Sequence, residues 1–277
     1  GETELASMAL NSIFYFVVAM IGISIGTGSQ ILMSRRAGEG DRAEIGQLFN
    51  QSIIALTAAS VLFFLLLHYL SSEVFHHILS SKAIIDASDQ YMHIRSFGIF
   101  FSFIAVTFRS FFISISHTRI ITYSAILLLV TNLILDYGLI FGNLGMPEMG
   151  IRGAGLAAVI AEAISLFYLV LYAIVKKEFK EFGLFKSFRY SSYRLKSILH
   201  LASPVILQNL VSMGAWFIFF VVIEHIGQHA LAISNIVRSI YMLMMTPVWG
   251  FAAATNSMVS NIIGQRKTEE IKKLIFR

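Results

Sequence analysis

Long apolar runs recur along nearly the whole chain, parted by short clusters of glycine and charge. They predict helices at about Leu5–Met33, Ile45–Leu70, Ser88–Ser116, Ile120–Phe141, Ile151–Val175, Ile198–His225 and His229–Ile263. Each is long enough to cross a hydrocarbon core of ~30 Å with some tilt. The segments between them hold the helix breakers and most charges: 35–42, 80–86, 117–119, 142–150, 176–196, 226–228 and 264–277. The alternating, turn-punctuated segments of a transmembrane barrel are absent from the sequence. The expectation is an all-α membrane protein with seven transmembrane helices.

Charge then orients the bundle. Assigning alternate loops to one side collects 16 of the 21 Lys and Arg there, leaving Lys82 and Arg152 opposite and Arg95, Arg109 and Arg238 within spans. By the positive-inside rule residue 1 lies outside and residue 277 in the cytoplasm, in a multi-pass protein of the cell inner membrane. The chain is 56% hydrophobic and 13% charged, against roughly 25% charged for a soluble domain. Loop bias accounts for the net charge of +5, so no nucleic-acid partner is expected. With no cysteine there is no disulfide framework and no thiolate chemistry. Residues 176–197 form the one long basic linker, with Phe179, Phe182, Phe185 and Phe188 interleaved among Lys and Arg. It reads as an interfacial amphipathic helix or as a solvated inside loop.

The sequence also repeats itself. Displaced by 226 positions, Gly1, Leu5, Ala6, Tyr15, Ser34, Gly38, Glu44, Ile45 and Leu48 fall on Gly227, Leu231, Ala232, Tyr241, Ser260, Gly264, Glu270, Ile271 and Leu274. An offset of six helices preserves topology, so the copies are related by an axis along the membrane normal. The expected whole is twelve helices in two six-helix lobes. Residues 1–175 would be an amino-terminal lobe lacking its first helix, 176–197 a cytoplasmic linker, and 198–277 the start of the second lobe. The remainder, a first helix and four last ones, would be this chain's own missing partner.

Chemistry concentrates at Asp136, a carboxylate in the middle of the apolar run 125–141. Placing it there costs at least ~2.5 kcal/mol on insertion scales, which marks it as functional. Asn132 precedes it by one helical turn on the same face and offers an amide oxygen. The pair suits a bound sodium ion or a proton, or else an interhelical hydrogen bond. Gln208, Asn209 and Asn235 are polar positions in the last two spans that either line a central cavity or bridge helices. Pro247, flanked by Thr246 and Gly250, marks a hinge or a fixed curvature. Arg109 and Arg238 read as snorkelling or backbone-bonded. Gly22-Ile-Ser-Ile-Gly26 matches the serine-hydrolase elbow only in letters. Inside a membrane helix its small residues instead let helices approach, and no enzyme is expected. His76 and His77 lack further metal-type ligands, and no phosphate-binding loop occurs.

Four motifs in order, Gly26–Asp41, His117-Thr-Arg119, Asn132-Leu-Ile-Leu-Asp136 and Gly145–Gly155, resemble the multidrug and toxic compound extrusion (MATE) transporters. The resemblance implies twelve helices in two lobes. It also implies export of small organic, often cationic, compounds across the bilayer in exchange for Na+ or H+, with no cofactor beyond that ion. It places Asn132 and Asp136 in the amino-terminal-lobe cation site, alongside an acidic residue on a first helix that this chain lacks. Two positions depart from patterns seen in relatives: Ser212 replaces a glutamate eight residues after Pro204, and Ala158 replaces a hydroxyl. A lipid-linked oligosaccharide flippase of the same superfamily and a seven-helix receptor are the alternatives. The first would favour a broad basic cavity. The second would end near residue 277.

Overall fold

The computed structural model describes residues 2–78, 81–186, 189–226 and 228–275. Its described residues form helices α1 (Glu2–Glu39), α2 (Arg42–Leu65), α3 (Ser71–Ile78), α4 (Lys82–Arg95), α5 (Gly98–Ser114), α6 (Thr118–Phe141), α7 (Ile151–Val175), α8 (Ser192–Ile226), α9 (Gln228–Gly264) and α10 (Glu270–Ile275). A π-helical turn, Leu66–Leu70, joins α2 to α3. Asp41 starts α2 by accepting a hydrogen bond from the Glu44 N–H at 3.0 Å. Gly142 ends α6 in the left-handed conformation, where a glycine carries no Cβ penalty.

Five helical stretches among the described residues are long and apolar enough to cross a bilayer: 11–39, 42–77, α6, α7 and 192–216. Helices α4 and α5 make a sixth if counted as one span, and α9, at 37 residues, is not in this set. The single helix expected at Ser88–Ser116 is a bent pair, turning by 47° at Ser96–Phe97. There the Arg95 side chain turns inward to an ion pair described below.

Helix α1 is the centre of the bundle, packing against α2, α4, α5, α8 and α9. Its small residues permit this. A Cβ on Gly22 would meet the Phe103 ring, and one on Gly26 would meet Val106, while Ser110 Oγ donates to the Gly26 carbonyl at 2.9 Å. Buried serine pairs tie other helices together: Ser7 with Ser88 at 2.9 Å, Ser34 with Ser257 at 2.8 Å, and Ser124 with Ser165 at 2.7 Å. Interfaces of small and hydroxylated residues are what helices in lipid use when apolar burial gives no preference for protein over tails.

The repeat has a physical counterpart where α1 crosses α9. A Cβ on Gly38 would strike the carbonyl of Asn261, and one on Gly264 would strike the carbonyl of Arg35. Position 38 corresponds to 264 and 35 to 261 under the same 226-residue displacement, so each glycine meets the residue that pairs with its partner's neighbour. Glycine serves here for close approach. Gly38→Val should therefore force the two helices apart. If this crossing closes one side of a transport path, the variant gains reactivity of a cysteine placed at Ser257 toward a hydrophilic thiol reagent; unchanged reactivity would show the crossing to be no seal.

Over its described part the linker is a short 3-10 turn and loop, with Lys176, Lys177, Lys180 and Lys186 exposed and its phenylalanines turned toward the bundle. Lys177–Phe182 forms a 3-10 turn, with Phe179 buried against Phe111 and Phe112, and Phe182 and Phe185 against Phe111 and Phe49. Phe188 lies outside the described residues. Asn50 and Gln51 of α2 accept from the N–H groups of Phe185 and Ser191 at 3.0 and 2.9 Å. Arg194 donates to both Glu44 carboxylate oxygens at 2.9 and 2.8 Å, and Arg42 pairs with Glu181. The basic segments around residues 35–42, 117 and 176–194 thus meet at one end of the bundle.

Candidate functional site

Asn132 and Asp136 sit one turn apart on α6, both half-buried. Among the described residues neither makes a hydrogen bond or an ion pair, so the interhelical bond is not formed. The α6–α7 hairpin fixes what lies opposite. Ser124 meets Ser165, and Gly153 lies against the Leu139 carbonyl. Between these contacts the antiparallel register sets Asn132 across from Ala158 and Leu128 across from Glu162. No group of three or more His, Asp and Glu side chains among the described residues could hold a metal ion. Asn132 and Asp136 thus offer two oxygen-bearing side chains on one face of α6.

A cavity of about 400 Å³ opens beside this hairpin, lined by residues of α1, α4, α5, α6 and α7. Its polar wall is an ion pair. Arg95 Nη1 and Nη2 donate to the two Glu162 oxygens at 3.0 and 2.6 Å, with the side chains only 10% and 14% exposed. The guanidinium also lies over the Tyr15 ring, 3.7 Å from its centre, and the Tyr15 hydroxyl contacts Ser102 Oγ at 3.3 Å. Two-pronged bonding and a cation–π face together compensate charges that lipid would not tolerate alone. Tyr91, one turn before Arg95, lies within electrostatic reach of Arg95, Glu162 and Asp136. By helical rise, Glu162 sits about 12 Å along the hairpin from the level of Asp136. Acidic side chains therefore stand at both ends of an α6–α7 face, with Asn132 between them.

Glu162 is not among the candidates that the sequence singles out, and Arg95 stands there only as a charge within a span. The signal was available: a carboxylate eleven residues into the apolar run Ile151–Val175 meets the same criterion that singled out Asp136. Arg109 lines the cavity and is hydrogen-bonded to no backbone carbonyl among the described residues.

The other candidates divide. Asn209 Nδ2 donates to Ser24 Oγ at 3.0 Å, bridging α8 to α1. Gln208 is exposed on α8, and neither it nor Asn209 lines the cavity. The side chain of Asn235 lies outside the described residues. Pro247 is exposed within a helix that continues on both sides of it. Ser212, also exposed, brings no carboxylate to α8.

Comparison with known proteins points one way. The MatE family model matches residues 1–138 and 204–277. The chain is 26% identical to the probable multidrug resistance protein NorM of Synechocystis sp. over 275 residues, covering 99% of this chain and 59% of that protein. It is 25% identical to the NorM of Agrobacterium fabrum, covering 96% of this chain and 57% of the relative. Among solved structures, a MOP superfamily transporter from Pyrococcus furiosus superposes over the whole chain and 60% of its own length with a TM-score of 0.91 at 19% identity. An outward-facing multidrug resistance MATE family transporter gives the same figures. The chain thus spans about three-fifths of the proteins it matches.

Proposed function

Since the chain belongs to the MatE family, we propose that it acts as part of a secondary antiporter that exports drugs or other organic compounds in exchange for Na+ or H+. The observation that carries this reading is Asp136 itself: a half-buried carboxylate at membrane depth with no protein partner among the described residues. A structural acid would be paired, as Glu162 is. An unpaired one is available to an ion. The relatives' names as multidrug resistance proteins support the class of cargo.

In the mechanism, Asp136 takes up Na+ or a proton on the outer side, with Asn132 adding an oxygen in the sodium case. Neutralising the carboxylate alters packing along the α6–α7 hairpin and releases cargo. On the inner side the ion leaves and cargo is captured, and rocking of two lobes about the α1–α9 crossing alternates access. Residues 1–175 belong to the first lobe of a twelve-helix whole, 176–197 to the linker and 198–277 to the second lobe. Residue 1 lies outside the inner membrane and residue 277 in the cytoplasm. The paired glycine contacts favour such a repeat over a seven-helix receptor.

The full-length protein in vesicles, with sodium and pH gradients imposed separately, tests the coupling. One gradient alone should drive export of an organic cation such as ethidium. Equal export with neither gradient present would rule out ion exchange.

A further inference from the structure

At the end of the bundle away from the basic linker, two imidazoles meet where α4 bends into α5. His68 stands in the π-helical turn that follows α2. By helical rise it is ~39 Å along from Arg42, and a hydrocarbon core is ~30 Å thick, which brings the ring to the water interface. Its centre is 4.1 Å from that of His93 on α4, with the planes tilted by 37°. Phe64, Tyr69 and Phe97 pack around it at 5.0, 4.9 and 5.7 Å between ring centres. Ser96 Oγ donates to the His93 carbonyl at 3.2 Å, so its oxygen accepts from His68 Nδ1 at 3.0 Å. That bond leaves the lone pair of neutral His68 on Nε2, free to take a proton. The pair fastens the π-helical turn to the end of α4 through residues that flank Arg95.

Charge on both rings undoes this contact, because two imidazolium groups at this spacing repel. The neighbouring groups give little relief. Asp89, one turn before His93, already accepts from Ser72 at 3.1 Å and lies 3.9 Å from His76 Nε2, which holds it more strongly once protonated. Glu73, His77, Lys82, Asp86 and Arg152 of α3, α4 and α7 are exposed. From α2 the ring meets Phe64, while Arg42 and Glu44 lie at the far end of that helix. Arg109 of α5 stands about three turns beyond the bend. Arg95 faces Tyr15 of α1 and Glu162 of α7, with Tyr91 in reach of that pair.

We propose that the His68–His93 stack is a pH-sensitive clasp. It holds α4 against the π-helical turn while at most one ring is charged and releases it when both are, in the acid part of the histidine range. Release frees the bend whose inward turn carries Arg95 to Glu162. The clasp stands apart from Asp136 and is read without transport, so it and the export reading fail separately.

The test is hydrogen exchange of the full-length protein in phosphatidylcholine nanodiscs at about pH 8 and about pH 5, corrected for the chemical exchange rate at each pH. Amides of residues 92–97 should lose about tenfold in protection at the lower pH, or ~1.4 kcal/mol, within the repulsion of two unit charges at this spacing near a protein surface. His93→Phe and, separately, His68→Phe keep an aromatic ring without a titrating nitrogen and should abolish the pH-dependent loss. The first falls at an exposed position, where the fold tolerates it. His76→Gln should leave the loss as it is. Equal protection at both pH values in the unaltered protein, or a loss that survives both phenylalanine variants, would overturn the proposal. A loss abolished by His76→Gln would overturn it as well, assigning the response to the pair with Asp89.

Discussion

Glu162→Gln is expected to destabilise the protein by about 3–5 kcal/mol, because it strands the largely buried Arg95 guanidinium without its counter-charge. Arg95 is 9% exposed, and its described charged partner is Glu162, with the Tyr15 ring beneath the guanidinium. Glutamine keeps the size and one acceptor oxygen, so the loss reports charge rather than volume. Replacing both partners, Arg95→Met with Glu162→Gln, should recover much of the stability, since neither buried charge then remains. Apparent melting of the single and double variants in one detergent gives the coupling between the two residues. Strictly additive losses would mean that the pair, despite bonds of 3.0 and 2.6 Å, acts as two independent groups.

The pair also separates what sequence can reveal from what it cannot. Asp136 and Asn132 were legible because they are one turn apart, and helical periodicity alone puts them on one face. Arg95 and Glu162 are 67 positions apart on different helices. Each looks like an isolated charge until α4 bends away from α5 and α7 folds back on α6. The bend was hidden for a related reason. Ser96 and Phe97 carry no proline, and the apolar run continues through them, so only the tertiary demand on Arg95 betrays the break.

Helix α7 matched its expected limits of Ile151–Val175 because Gly150 and Lys176 bound it locally. The linker went the other way. Its alternation of Phe with Lys is a sound signal of amphipathicity, but the sequence does not say which surface the apolar side meets. Here Phe179, Phe182 and Phe185 find an aromatic cluster at the end of α2 and α5 instead of lipid. The glycines at 38 and 264 were visible as repeat partners. That each meets the other copy's carbonyl became clear only in three dimensions.

The departures from the wider pattern of relatives acquire a location as well. Ala158 lies opposite Asn132, so the face that could have supplied a hydroxyl to a bound ion supplies a methyl group. A sodium site here would draw on Asp136, Asn132 and water or another segment. A proton needs only the carboxylate. One carboxylate and one amide suit either ion, and the separate imposition of the two gradients decides between them.

The central claim is that Asp136 carries the coupling ion, and the decisive comparison is Asp136→Asn against the unaltered full-length protein in the same vesicles. Asparagine preserves shape and hydrogen bonding but neither ionises nor accepts a proton at this depth. Gradient-driven efflux should fall to the rate of empty vesicles, a loss of the whole signal. Exchange of labelled for unlabelled substrate without a gradient, together with an unchanged melting temperature, should persist. Undiminished gradient-driven efflux by Asp136→Asn would contradict the account and move the coupling site elsewhere.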